Sequence, residues 1–417
     1  MGVVDPLLQR IVDDGRLDAD RLHALALWLA TRAADREPVK MAIALLGILQ
    51  GYDSREVLLA LGRHEELTLF VAVAVMGTEQ DAEPLLWDLA KSVNGWGRIQ
   101  VVERLADTTN PAIKRWMLTE GYRNSIMYEY LACTCAVAGE LHVALEAGPA
   151  DEELLAGAGE IIQALVQEGG PTGGIEDYEH GPQALESYLK HLPEEPRGLG
   201  QFLVLATIRQ FLESREEAGG SETWPEPLVS RLSANLCTRL QHQAWREMTE
   251  RGLESSDRRV LAEATEAAKH LEIDTWDRYY ARLEAGGDDW HHVMQSDQES
   301  RIRRVVSLAE STLPLDEIAT GPDTKRGLGK EFRHHAALDF VLQDLDRFPG
   351  LGLPLIHAGM QSPVVRNRHG AIRALSAWDR AAWPAETATH VEACLQAEPD
   401  HGVREAFEEL LAGSTND

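Results

Sequence analysis

The chain has 417 residues, 44% of them apolar and 26% charged, so a large buried core is available. Its formal net charge of −28, from 68 acids against 40 bases, repels phosphate backbones and anionic membranes and disfavours nucleic acid as a partner. This length excludes one compact core and leaves two or three domains, or a repeat array whose units pack only on their neighbours.

The N-terminus, MGVVDPLLQRIVDDG, has no basic stretch followed by an apolar one, and Pro6 stands where a myristoylation signal needs Ser or Thr. The longest apolar run, Leu69 to Met76, is far too short to span a bilayer. Four scattered cysteines, Cys133, Cys135, Cys237 and Cys394, are too few for a disulfide framework and read as buried thiols. The expectation is a cytoplasmic protein with no membrane association.

Apolar residues recur at three- and four-residue spacing almost throughout, and period-two alternation is nearly absent. That predicts an all-α chain with helices of roughly 12 to 18 residues joined by short turns. DADRLHALALWLATRAADR places Leu22, Leu25, Leu27, Trp28 and Leu29 in one helix. Asn94 to Gly139 is the densest polar-aromatic stretch, with Trp96, Arg98, Glu103, Arg104, Trp116, Tyr122, Arg123, Asn124, Glu129 and Tyr130 spread over three helices. Arginine and glutamate on consecutive helices would line a concave binding site. Arg98, Arg104, Arg123 and Asn124 would be its donors, Glu103 and Glu129 its acceptors, and the rings its walls. The competing reading makes the same residues ion pairs and core rings that staple one repeat to the next.

Further along, DEELLAGAGEIIQALVQEGG starts with acids at the positive end of its helix dipole and stops at paired glycines. Three Gly- and Pro-rich stretches then interrupt the pattern: Glu168 to Pro182, Ser214 to Pro227 and Thr320 to Lys330. They suggest N-terminal repeats over 1–218 with an insertion near 168–182, middle repeats over 219–320 and C-terminal repeats over 321–417.

The motifs of bond-making chemistry are weak. Glu331, His335 and Asp339 share one helix face, yet a single helix cannot surround an ion. Asp288, Asp289, His291 and His292 read first as helix-capping and surface residues. Cys133 and Cys135 lack a histidine or second cysteine pair nearby, and RGLGK at 326–330 lacks the spacing and the hydroxyl residue of a phosphate loop. No metal and no cofactor is expected from these patterns, and they leave any catalytic residue unknown.

Near the C-terminus, SPVVRNRHGAIRALSAW places Val365, Ala371, Ile372, Leu375 and Trp378 on one face, and HGVREAFEELLAG repeats the design with Val403, Ala406, Phe407, Leu410 and Leu411. Val365 and Val403 lie 38 residues apart, close to the period of two-helix repeats. Looser echoes occur at Ile302-Arg303, Arg259-Val260 and Ile113-Lys114. A proline or acidic turn, an apolar-basic pair and an alanine-containing apolar face resemble the second helix of HEAT repeats. That resemblance implies an α-solenoid of helix pairs in which an arginine reaches toward a neighbouring turn. The Asn94–Gly139 stretch is also similar to one in uncharacterised bacterial HEAT-like proteins, some labelled limonene hydroxylase. The sequence has no haem, flavin or non-haem iron motif to support that label.

The function this suggests is a non-enzymatic binding scaffold for a protein, peptide or small-molecule partner. The alternatives are a HEAT-like-fold enzyme acting on a small molecule, and a DNA-glycosylase-like protein, which the net charge opposes.

Overall fold

The computed structural model describes residues 4–14, 16–167 and 169–413. Met1 and Gly2 of the N-terminal reading, and Glu168 at the head of the first interruption, lie outside the described residues. Among those described are twenty-five α-helices, a few one-turn 3-10 or π segments, and no strand beyond an isolated bridge between Lys325 and Val364. The fold is all-α, as the helical periodicity predicts. The chain forms two compact units, Met1–Leu271 and Glu272–Asp417.

In the first unit one row of helices runs Arg36–Ile48, Glu65–Thr78, Gly95–Glu103, Glu129–Ala138, Glu152–Val166 and Leu199–Glu217, each packed on the next. Most members of the row also carry a helix adjacent to them in sequence. Ala19–Arg32 packs on Arg36–Ile48, Arg55–Gly62 on Glu65–Thr78, and Glu83–Ser92 on Gly95–Glu103. This is nearest-neighbour stacking of helix pairs, in which each unit buries its apolar face only against those flanking it. Side-chain caps start several of these helices: Asp18, Asn94 and Asp151 each accept from a backbone N–H of the first turn. A cap of this kind contributes about 1 kcal/mol.

The second unit repeats the scheme. Arg333–Leu342, Val365–Ser376 and His401–Ala412 pack in a row, with Leu353–Met360 on the second and Ala385–Ala397 on the third. Ala371, Ile372, Leu375, Val403, Phe407 and Leu410 are buried, as the repeated apolar face requires. The arginine that reaches a neighbouring turn is Arg368, not Arg366 of the Val-Arg pair. Arg368 is fully buried; its Nη1 donates to the Ser362 carbonyl at 2.7 Å and its Nη2 to Glu398 Oε1 at 2.8 Å. Arg366 is exposed.

The interruptions are anchored segments inside the units. Trp224, from the stretch at 214–227, is completely buried against Phe211 with ring centroids 5.1 Å apart. In the stretch at 320–330, Gly321 and Lys325 donate to the carbonyls of Gln361 and Pro363, and the Lys325 carbonyl accepts from Val365. Ile175 and Tyr178, within 168–182, are also buried.

Candidate functional site

The Asn94–Gly139 segment does come together in space, and two sets of residues separate within it. The chain leaves Pro111–Trp116 through a π-turn, Met117–Gly121, before the helix Glu129–Ala138 begins. Such turns carry an extra residue per turn and are frequent at functional sites. This one delivers Tyr122, Arg123 and Asn124 to the face where Gly95–Glu103 and Glu152–Val166 meet the Glu129 helix.

The first set holds the fold. Arg98, with a side chain only 11% exposed, donates through Nε to the carbonyls of Ala90 and Val93 and through Nη1 to that of Arg123 at 2.9 Å. Its donors are spent on backbone acceptors that terminate neighbouring elements. Asn124 is similarly saturated: Nδ2 donates to the carbonyls of Tyr122 and Met127, while Oδ1 accepts from the N–H groups of Ile126 and Met127. Arg104 folds back on Gln100 of its own helix. Trp116 is half-buried edge-on to Trp87, and Glu103 is exposed at the end of its helix. The Glu129 carbonyl accepts from Thr172 Oγ1 at 2.6 Å, fastening the Gly-rich loop. Glu129 also lines a cavity of about 260 Å³ walled mainly by residues 164–177.

The second set ties the π-turn to the helix Glu152–Val166, with Tyr122 buried and Arg123 and Glu160 partly exposed. Arg123 grips Glu160 through two parallel hydrogen bonds, Nε to Oε2 at 2.9 Å and Nη2 to Oε1 at 3.0 Å. That fork fixes both groups in one plane. The Tyr122 hydroxyl donates to Glu160 Oε2 at 2.7 Å and accepts from Arg123 Nε. Burial, followed by the Glu160 charge, pushes the Tyr122 hydroxyl well above its ordinary pKa, so it stays a donor. Tyr128 packs edge-on to Tyr122, and Tyr130 edge-on to Trp96 with centroids 4.9 Å apart.

Beside this network lies an apolar shelf. Trp96, Ile126, Met127 and Tyr128 are 46%, 39%, 43% and 37% exposed, respectively. Two contacts hold the shelf rigid. Asn94 Oδ1 accepts from Ser125 N at 2.9 Å, bridging the Gly95 helix to the loop, and Glu65 Oε1 accepts from Trp96 N at 2.7 Å. Glu65 is exposed beside Trp96, Glu129 is half-buried, and the half-buried carboxylates of Glu120 and Glu160 pair with Arg123.

Sequence reasoning missed Glu160, which lies on the next helix, and the triplet Ile126-Met127-Tyr128. The signal for the triplet was present: SIMYEY puts three large apolar side chains in a row where helical periodicity has lapsed.

Elsewhere, His335 Nδ1 lies 3.1 Å from Ser362 Oγ and Asp339 lies 3.6 Å from Arg366, so this pair braces adjacent helices. Asp289 makes no side-chain cap and pairs with Arg282 Nε at 3.0 Å instead. No cluster of three metal-type ligands occurs among the described residues.

No protein-family model, curated protein or solved structure matches this chain.

Proposed function

We propose that the protein is a non-enzymatic, HEAT-like binding scaffold and that the shelf of Trp96, Ile126, Met127, Tyr128 and Tyr130 receives a basic, apolar segment of a partner protein. The observation that carries this reading is the exposure of four large apolar side chains on two segments locked together by Asn94. Tryptophan and tyrosine side chains of this kind dominate binding energy at interfaces, and a flexible methionine adapts its shape to what docks beside them. The acids around them, on a chain of net charge −28, favour a partner segment rich in lysine and arginine. Nucleic acid meets the same repulsion. No helix among the described residues is long and apolar enough to cross a membrane. Four free cysteines, two of them buried, support a reducing cytoplasmic location.

Selection of peptides from a random display library on the purified chain tests this. The expected result is enrichment of peptides that combine basic and large apolar residues, with binding lost in Trp96→Ala and Met127→Ala at unchanged melting temperature. Enrichment of acidic peptides, or binding indifferent to both substitutions, would overturn the reading.

A further inference from the structure

A groove of about 500 Å³ runs along the exposed face of Val365–Ser376 in the second unit, bounded by Arg333–Leu342 on one side and His401–Ala412 on the other. Arg366, His369, Arg373 and Ser376 recur at three- and four-residue spacing, so they form one strip along it. Gly370, in the middle of the strip, leaves space where a side chain would meet Leu342. The floor is apolar, from Ile372, Ala406 and Leu410.

The charges in the groove are balanced and incompletely used. Arg366 is 3.6 Å from Asp339 and Arg373 is 3.7 Å from Asp346, both beyond hydrogen-bond length, and the two arginine side chains are 58% and 54% exposed. Contacts of this length at the surface contribute little, so the Arg366 guanidinium is available to a ligand, while Arg373 also donates through Nη2 to the Gln343 carbonyl and offers its remaining N–H groups. Asp339 is half-buried, and burial raises its carboxyl above the usual range. On the opposite wall Glu409 is exposed and carries no ion pair. A polyanion would meet Asp339 and Glu409, and a polycation would meet the two arginines. A ligand with one carboxylate and one ammonium satisfies both sides and leaves its hydrocarbon for the floor.

We propose that this groove binds a small zwitterion, an amino acid or short peptide with an apolar side chain. Its carboxylate sits on Arg366 and Arg373, and its ammonium on Glu409.

Calorimetric titration of the full chain with leucine, leucyl-leucine, isocaproate and isoamylamine tests the assignment. Leucine or leucyl-leucine should bind with a Kd below about 1 mM, and whichever binds more tightly identifies the free amino acid or the peptide as the source. Isocaproate and isoamylamine, each lacking one charge, should bind about tenfold more weakly or worse. Arg366→Ala and Glu409→Gln should each weaken the zwitterion about tenfold, while Arg347→Ala, outside the groove, leaves it unchanged. Glu409 makes no ion pair in the fold, so its variant stays informative if an arginine variant unfolds. Three results would overturn the proposal: no zwitterion binding up to about 10 mM, isocaproate binding as tightly as leucine, or full affinity in Glu409→Gln.

Discussion

Arg98 and Trp96 stand two residues apart on one helix, and the structure gives them opposite work. Arg98 spends its donors on the carbonyls of Ala90, Val93 and Arg123. Removing it leaves those buried acceptors short of a partner. We expect Arg98→Ala to lower stability by about 1–3 kcal/mol in urea unfolding, with no rescue by lysine, whose single ammonium cannot span the same acceptors. Trp96→Ala should change stability far less, because nearly half of that side chain already faces water. The same logic applies more strongly to Arg368 and Glu398, which pair with no exposure to solvent and with Nε 2.8 Å from Oε2. Either partner alone is an uncompensated buried charge, so Glu398→Ala should cost about 3–5 kcal/mol in the same measurement.

At the scale of elements, the helix Glu152–Val166 packs so closely on the π-turn that a Cβ on Gly157 would stand 2.0 Å from the Leu118 carbonyl oxygen. Gly157→Ala therefore has to push the helix and the turn apart. A loss of about 1–3 kcal/mol is expected, together with displacement of Tyr122 and Arg123 that a near-ultraviolet circular dichroism change would report. Unchanged stability and spectrum would show that the turn is not fixed by this contact. The helices themselves were legible in the sequence, because apolar spacing is a local property that tertiary packing only reinforces. The faces of the repeats Ser362–Trp378 and His401–Ala412 were legible for the same reason. The π-turn was not, since its extra residue leaves no compositional mark. The split of the Asn94–Gly139 cluster was not legible either. Arg98 and Arg123 look alike in sequence, and only the positions of carbonyls and of Glu160 on another helix show that one binds backbone and the other a carboxylate.

Across the whole molecule, three histidines share an electrostatic setting. His142, His335 and His357 all have lowered pKa values, caused first by burial and, for His142 and His357, next by a neighbouring histidine. His357 stacks on His390 with centroids 4.2 Å apart, and the Nε2 atoms of both are buried without a partner. The folded state thus resists protons that the unfolded chain accepts near pH 6.5, so stability falls as pH drops through that value. Above about pH 7 these residues are neutral in both states and contribute no slope. Scanning calorimetry from pH 7.5 to 5.5 should show a falling melting temperature, and His357→Phe should reduce the decline. A flat or rising profile would contradict this assignment.

Docking of a basic segment on the shelf beside the Arg123–Glu160 fork is read most directly by amide hydrogen exchange. With a display-selected basic peptide bound, amides of residues 125–130 and the first turn of the Gly95 helix should exchange more slowly. The amides around Arg98-bound Ala90 and Val93, already fixed in the free protein, should change little. Protection confined to other surfaces, with exchange at 125–130 unchanged, would rule out docking on this shelf.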